Sequence, residues 1–396
     1  MSCVDELGRV ELLPHCPMNI GVLPYSPAYS QDRLFDVSSS LNRDHSLQVW
    51  HEFRKSCLAR GWDVHTADDR SRPVDAYLVL NPCPQKLHQL GREHFHHTVA
   101  QFYEPPDVCP QQYEHEHLRF LSSHCRTIYC CNRSLCDTYG FRQHAWYVDS
   151  YPCRQQRIAP AKDRDGVCLI ATNKFNRHPE SQLAFRLSLA RAIAQAPDLQ
   201  SHFRLYGRDW LTGAGMLRRH LPGSVYGESG VMDRFLGRLE RKIPWNGLLR
   251  KAYRGPVAAK SDVLSAARFN LIVENMYWDG YVTEKIFDAL QFGCVPIYFG
   301  ASDVENHIPA ELFIDGRRFP EPLEAIRFAL SLPEVQIDRR IQAGQDWLRS
   351  ADFNSRFGRR TYIEMLLNDL IGIGKGRQLL PGENMVTSGS DHRSRV

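Results

Sequence analysis

Short apolar runs alternate with amphipathic stretches along most of the chain, and that alternation predicts strands followed by helices, the pattern of an α/β protein. In the first part, strands are predicted at Ile20–Tyr25, Trp62–His65, Ala76–Leu80, Thr98–Tyr103, Arg126–Cys131 and Ala145–Val148. A helix over Ser46–Arg60 sets Leu47, Trp50, Phe53, Cys57 and Leu58 on one side. The chain turns polar and basic from Tyr151 to Gly166, with two prolines and no apolar period, so a domain boundary is predicted there. Val167–Thr172 and Phe203–Gly207 then read as strands around a helix from Pro179 to Gln195. Met216–Gly255, rich in Gly and Arg, reads as irregular loop in which RLERKIPW is a solvated basic helix more readily than a site for a charged acceptor. Helices are predicted at Leu323–Leu332 and, interrupted near Ser350, at Ile337–Leu370; composition predicts disorder from 375 to 396.

The segment Phe269–Gly300 carries the most chemical information. Phe269–Val273 is a strand apolar on both faces, as in a parallel sheet, and Glu274 and Asn275 follow at the carboxyl end, where open α/β sheets bind ligands. A helix is predicted from near Tyr281, with Val282, Ile286, Ala289 and Leu290 facing the core and Gly293 ending it. Its amino terminus offers free N–H groups, and Lys285 adds a full positive charge, so a phosphate can sit there without a metal. Glu284 is placed to accept hydrogen bonds from sugar hydroxyls. On an arbitrary helix these two residues are a solvated face.

The residues E-N, five residues, then Y-V-T-E-K, continued by G-x-V-P-I-Y-x-G, resemble the donor-binding signature of family 10 glycosyltransferases, the α-1,3/1,4-fucosyltransferases. The resemblance extends through Tyr253, Arg254, Gly255 and Lys260 upstream and Ile308, Pro309 and Phe313–Asp315 downstream, covers roughly residues 167–319, and is closest to the bacterial, lipopolysaccharide-type branch. FRLYGRDW is similar to the family's D-L-Y-G-x-G-W, with Arg204 in place of an acid and Asp209 in place of glycine. The fold implied is GT-B: two Rossmann-like domains facing across a cleft, with a C-terminal helical extension. The domains expected are 1–155 for the acceptor, 166–350 for the GDP-sugar donor, a terminal helix at 351–374 packing back across them, and the tail at 375–396.

The resemblance implies inverting transfer of L-fucose from GDP-β-L-fucose to a glycan hydroxyl, the acceptor containing N-acetylglucosamine and the linkage being α-1,3 or α-1,4. Donor binding falls to Arg186, Asn275, Tyr281, Glu284 and Lys285, since a guanidinium fork and an ammonium suit a diphosphate. On the residues alone, a surface ion pair with Glu180 or Glu240 is the better reading of Arg186. The general base expected is Glu104, at the end of a strand in FYEPPD, where Pro105-Pro106 fixes an extended turn; Asp107, Glu114 and Glu116 compete with it. Other classes stay open: transfer from another GDP-deoxyhexose, an epimerase or hydrolase on the same scaffold, or a donor-binding protein without turnover.

Composition narrows the partners. At 396 residues, 43% hydrophobic and 24% charged, the chain reads as globular, and a net charge of +4 is too small to argue for nucleic acid. No run of eighteen apolar residues occurs, and MSCVDELGRVELLPHCP carries acids where a signal peptide carries bases, so the expectation is a cytoplasmic chain without an integral membrane segment, peripheral membrane association being left open. Twelve cysteines without a secretion signal read as thiols, and the spacing of Cys125, Cys130, Cys131 and Cys136 does not suit a zinc knuckle. Asp68-Asp69 and Asp163-x-Asp165 are not placed after strands as in metal-dependent transferases, so no metal or other cofactor is expected to be required.

Overall fold

The computed structural model describes residues 17–42, 45–144, 158–213, 231–243 and 247–378. The apolar runs form two sheets in which every strand pair is parallel. The first sheet comprises β1 (Asn19–Leu23), β2 (Asp63–Thr66), β3 (Ala76–Leu80), β4 (Thr98–Gln101), β5 (Thr127–Cys130) and β6 (Arg142–Gln143), in the order β2-β1-β3-β4-β5-β6. Its helices are α1 (Gln48–Leu58), α2 (Pro84–Leu87), α3 (His115–His124) and α4 (Arg133–Tyr139). The second sheet comprises β7 (Asp165–Ile170), β8 (Phe203–Tyr206), β9 (Tyr253–Gly255), β10 (Ala267–Val273), β11 (Val295–Phe299) and β12 (Ile314–Asp315), in the order β12-β11-β10-β7-β8-β9. With it go α5 (Leu183–Gln195), α6 (Val231–Lys242), α7 (Lys260–Leu264), α8 (Glu284–Gln291), α9 (Pro322–Ser331), α10 (Glu334–Arg349) and α11 (Ala351–Phe357); α12 (Arg359–Gln378) closes the described chain.

Each sheet is doubly wound, and its strand order reverses once, between β1 and β3 in the first and between β7 and β10 in the second. Such switch points leave a crevice at the carboxyl ends of the two strands. Phe269 lies opposite Val295 on one side and Val167 on the other, so β10 is covered from both faces and both edges.

Several sequence expectations need correction. Within the stretch read as irregular, the basic helix read over RLERKIPW is the second half of a longer helix, α6, over 231–242, and residues 253–255 are β9. Helices α3 and α4 fill a region where no helix is predicted; α4 is delimited by Asn132, whose side chain accepts from Leu135 N, and by Gly140 at φ 72°. The helix read as starting near Tyr281 begins at Glu284, because the Thr283 amide is taken by Glu274. The helix read from Pro179 begins at Leu183, because Ser181 bridges to Met276. Helix α12 runs to Gln378 where disorder is predicted from Lys375; residues 379–396 and the predicted strand Ala145–Val148 lie outside the described residues.

The last two helices divide between the sheets. In α11, Phe353 and Phe357 pack on Phe287 and Trp347 beside the second sheet. In α12, Tyr362, Ile363, Leu366, Leu367 and Leu370 are buried against Trp50, Val99 and Tyr129 of the first. Tyr362 meets Trp50 edge-on at 6.2 Å and shares hydrogen bonds with the Tyr103 hydroxyl and the Gln101 amide oxygen. Tyr362→Phe leaves two buried polar groups short of a partner and should cost about 1–3 kcal/mol, whereas Tyr362→Ala also empties a ring-sized space and should cost about 3–5 kcal/mol. Chemical denaturation checks both; equal stability of Tyr362→Ala and the parent contradicts this role of α12.

Candidate functional site

The polar turn after β10 is built on one buried acid. Glu274 is completely buried, and its carboxylate accepts from Thr283 N (3.1 Å), Thr283 Oγ1 (2.8 Å) and Lys285 Nζ (2.8 Å). An unpaired carboxylate there would be prohibitive, so the lysine and the end of the helix are held where Glu274 needs them. Burial alone would depress the Lys285 ammonium, but Glu274 and Glu284 outweigh it and raise its pKa. Glu284 lies 3.6 Å from Lys260 and 4.0 Å from Lys285; burial pulls its carboxyl upward, but the two ammonium groups hold it at about 2.

Arg186 is 3% exposed, which excludes the surface role open to it on sequence. Its guanidinium donates to the Val273 carbonyl and, at 2.9 Å, to Asn275 Oδ1, while Nε has no hydrogen-bond partner among the described residues. Burial lowers its pKa from the usual arginine value, against the pull of Glu274, Tyr281 and Asp107. Asn275 is thus tied to Arg186, and its own carbonyl accepts from Gln182 N at 2.8 Å. Tyr281 is buried under the same turn; burial, then Glu274, Glu104, Glu284 and Asp107, push its hydroxyl well up.

A cavity of about 540 Å³ opens at the β7–β10 switch point. Lys174, Arg186, Arg208, Lys260 and Lys285 line it against a single acid, Glu284, together with Thr172 and Asn275. Five cations around one pocket suit a polyanion such as a nucleoside diphosphate. Sequence reasoning did not assign Lys174, Arg208 or Lys260 to the site, although each follows the end of β7, β8 or β9, the position that signals a ligand edge in this architecture. Asp209, where the family has glycine, adopts φ 63°, the left-handed conformation that a short polar side chain tolerates. Arg204, where the family has an acid, pairs at 3.0 Å with Asp165 on the surface.

Glu104 stands across the cleft, beyond the end of β4. Asn81, beyond the end of β3, accepts from Tyr103 N (2.7 Å) and Glu104 N (3.1 Å), and Tyr113 Oη donates to the Glu104 carbonyl at 2.6 Å. Tyr113 in turn meets Trp278, from the turn after β10, edge-on at 5.3 Å. Burial raises the Glu104 pKa, Lys174 and Lys285 oppose that shift, and Glu284 adds to it. Glu104 borders a second cavity, of about 670 Å³, at the β1–β3 switch point, with Tyr25, Asn81, Gln85 and Val108 among its walls. Lys86 borders it too, but its ammonium is turned onto the carbonyls of Leu80 and Asn81, and burial lowers its pKa to about 8. Of the competing acids, Asp107 is buried beside Glu104 and lifted to about 6 by burial and then by Glu104, while Glu114 and Glu116 are exposed and border neither cavity.

Among the described residues nine cysteines are unbridged, and no group of three or more His, Cys, Asp or Glu side chains could hold a metal ion. No described helix is long and apolar enough to cross a membrane.

Two doubly wound parallel sheets, with a cation-lined cavity at the switch point of one and an acid-edged cavity at that of the other, have the architecture of GT-B glycosyltransferases. Residues 216–340 match the family model described as glycosyltransferase family 10 (fucosyltransferase), C-terminal part. The chain is 50% identical over 56 residues to an alpha-(1,4)-fucosyltransferase of Arabidopsis thaliana and 35% identical over 99 residues to the alpha-(1,3)-fucosyltransferase FucT of Helicobacter pylori. These alignments cover 14% and 24% of this chain, and 14% and 21% of the relatives. A crystal structure of an alpha1,3-fucosyltransferase superposes with a TM-score of 0.46 at 15% identity, over 91% of this chain and 90% of that one. The likeness to glycosyltransferase family 10 is carried by residues 216–340, the C-terminal part of that family.

Removing either cation should weaken a diphosphate ligand. Arg186→Ala and Lys285→Ala are each expected to lower GDP affinity by roughly ten- to a hundredfold, the loss of one charge-assisted contact. Titration calorimetry measures this, and unchanged affinity in both variants would put the diphosphate elsewhere.

Proposed function

We propose that the protein is an inverting fucosyltransferase, which moves L-fucose from GDP-β-L-fucose to a hydroxyl of a glycan. The observation that carries this reading is the position of Glu104. It edges the first-domain cavity, and the cations acting on it most strongly, Lys174 and Lys285, line the donor cavity of the second domain. A carboxylate on the edge of one ligand-sized cavity, within the field of cations that line a second, suits a reaction between two bound molecules better than hydrolysis or epimerisation of one.

In this mechanism GDP-fucose lies with its diphosphate among Arg186, Lys285 and the first turn of α8, and Glu284 accepts from sugar hydroxyls. The acceptor hydroxyl, bound in the first-domain cavity, gives its proton to the Glu104 carboxylate as it attacks the anomeric carbon from the side opposite the diphosphate. The bond from carbon to the diphosphate oxygen breaks, and the charge that develops on GDP meets side chains already in place. Asp107 is less suited to be the base, since it is 6% exposed and borders neither cavity.

Glu104→Gln is expected to leave GDP affinity intact while turnover falls by roughly two to four orders of magnitude, the range for loss of a general base. Because burial raises the Glu104 pKa and the base must be ionised, activity should fall as pH drops through a value above that of an ordinary glutamate. Near-normal turnover in Glu104→Gln, with product identified by mass and linkage across a panel of GDP-sugars and N-acetylglucosamine, lactosamine and galactose acceptors, would move the base elsewhere. GDP binding with no turnover on any pair would favour a binding protein.

The donor cavity neutralises the leaving group with side chains, so turnover is expected to survive saturating EDTA. Complete loss that is restored by a divalent cation would overturn this reading of the donor site.

A further inference from the structure

Of the eight large hydrophobic side chains exposed among the described residues, three fall within residues 235–248: Phe235, Leu239 and Leu248, at 55%, 39% and 56% exposure. Phe235 and Leu239 lie one turn apart on α6, and the exposed Arg238 and Lys242 complete the same i, i+3, i+4, i+7 stripe. The other side of the helix faces the protein. Glu240 is completely buried, and Gly213 N donates to the carbonyls of Glu240 (3.0 Å) and Ile243 (2.8 Å). From 235 to 254 the exposed charged side chains among the described residues are all basic: Arg238, Lys242, Arg250, Lys251 and Arg254.

We infer that α6 and the chain just after it form a face that docks on an anionic membrane surface. A helix with Phe and Leu among Lys and Arg, and no exposed acid beside them among the side chains described, matches the composition of helices that lie in the bilayer interface. The ring and leucyl groups reach the boundary of the acyl chains, and the cations meet anionic headgroups. A protein partner would need an acidic surface set around an apolar one, whereas an anionic bilayer supplies both in layers. Helix α6 is anchored at Gly213, shortly after Arg208 of the donor cavity, so a docked molecule carries its cleft close to the lipid surface. The inference does not depend on fucosyl transfer.

The test sediments the full chain with vesicles of phosphatidylcholine alone or mixed with phosphatidylglycerol, at low and at high salt. Binding to the anionic vesicles should be at least about tenfold tighter than to neutral ones and should weaken with salt. Phe235→Glu with Leu239→Glu should abolish it, and Arg238→Glu with Lys242→Glu should reduce it by about tenfold or more, with GDP affinity unchanged in both pairs as a check on folding. No binding, equal binding to both vesicle types, or variants that bind like the parent would each overturn the inference. So would concentration-dependent self-association that the Phe235 and Leu239 changes remove, which would assign the face to a second copy of the chain.

Discussion

The second domain depends on one buried charge. Glu274 sits at the carboxyl end of β10 with no exposure to water, and three hydrogen bonds from Thr283 and Lys285 make that tolerable. The consequence runs in both directions. The carboxylate fixes where α8 starts and keeps Lys285 charged, so a cation is ready at the edge of the cavity before any ligand arrives. It also offsets part of the repulsion among Arg186, Lys260 and Lys285, which a cavity lined by five cations would otherwise carry unscreened.

The same turn joins the two domains. Trp278 packs on Tyr113, and Asn132 Nδ2 donates to the Asp279 carbonyl. Gly280 adopts φ 75°, and a Cβ there would lie 2.1 Å from the Cys131 carbonyl oxygen, so only glycine lets the turn approach the first domain this closely. The chain crosses back at Gly358, between α11 on the second sheet and α12 on the first. Contact beside the cleft and a helical strap behind it together hold Glu104 opposite the donor cavity.

The period of apolar positions made most strands legible, and Ala76–Leu80 and the buried run Phe269–Val273 stand where their patterns put them. What the pattern could not show was decided by partners far away in sequence. Arg186 reads as a surface residue on a helix wheel; only the placement of α5 against β10 buries it, with Asn275 and Val273 as its acceptors. The late start of α8 and of α5 likewise follows from Glu274 and Met276 capturing groups that local propensity assigns to helices. The first half of helix α6 was obscured by Gly and Arg, which suggest loop unless the i, i+4 spacing of Phe235 and Leu239 is weighed against them. Lys174, Arg208 and Lys260 were missed because a residue's place after a strand counts only once the order of strands in the sheet is known.

Backbone strain follows the same geography. Asn81 has φ 55° and Asp209 φ 63°, and both stand just beyond the carboxyl ends of strands, the first bordering the first-domain cavity and the second next to Arg208 of the donor cavity. Non-glycine residues in this conformation cost about 1 kcal/mol or more each, and persist where the surroundings over-determine them. At Asn81 those surroundings are explicit: its carbonyl accepts from Lys86 at 3.1 Å, and its side chain takes the amides of Tyr103 and Glu104. The left-handed turn is what aims the Asn81 side chain at the next strand end. Glu104 is therefore held by its main chain, through Asn81 on one side and Tyr113 on the other, and its carboxylate can reorient only by side-chain rotation. In the role proposed for Glu104, as a base that keeps within reach of an acceptor proton, that kind of restraint counts most.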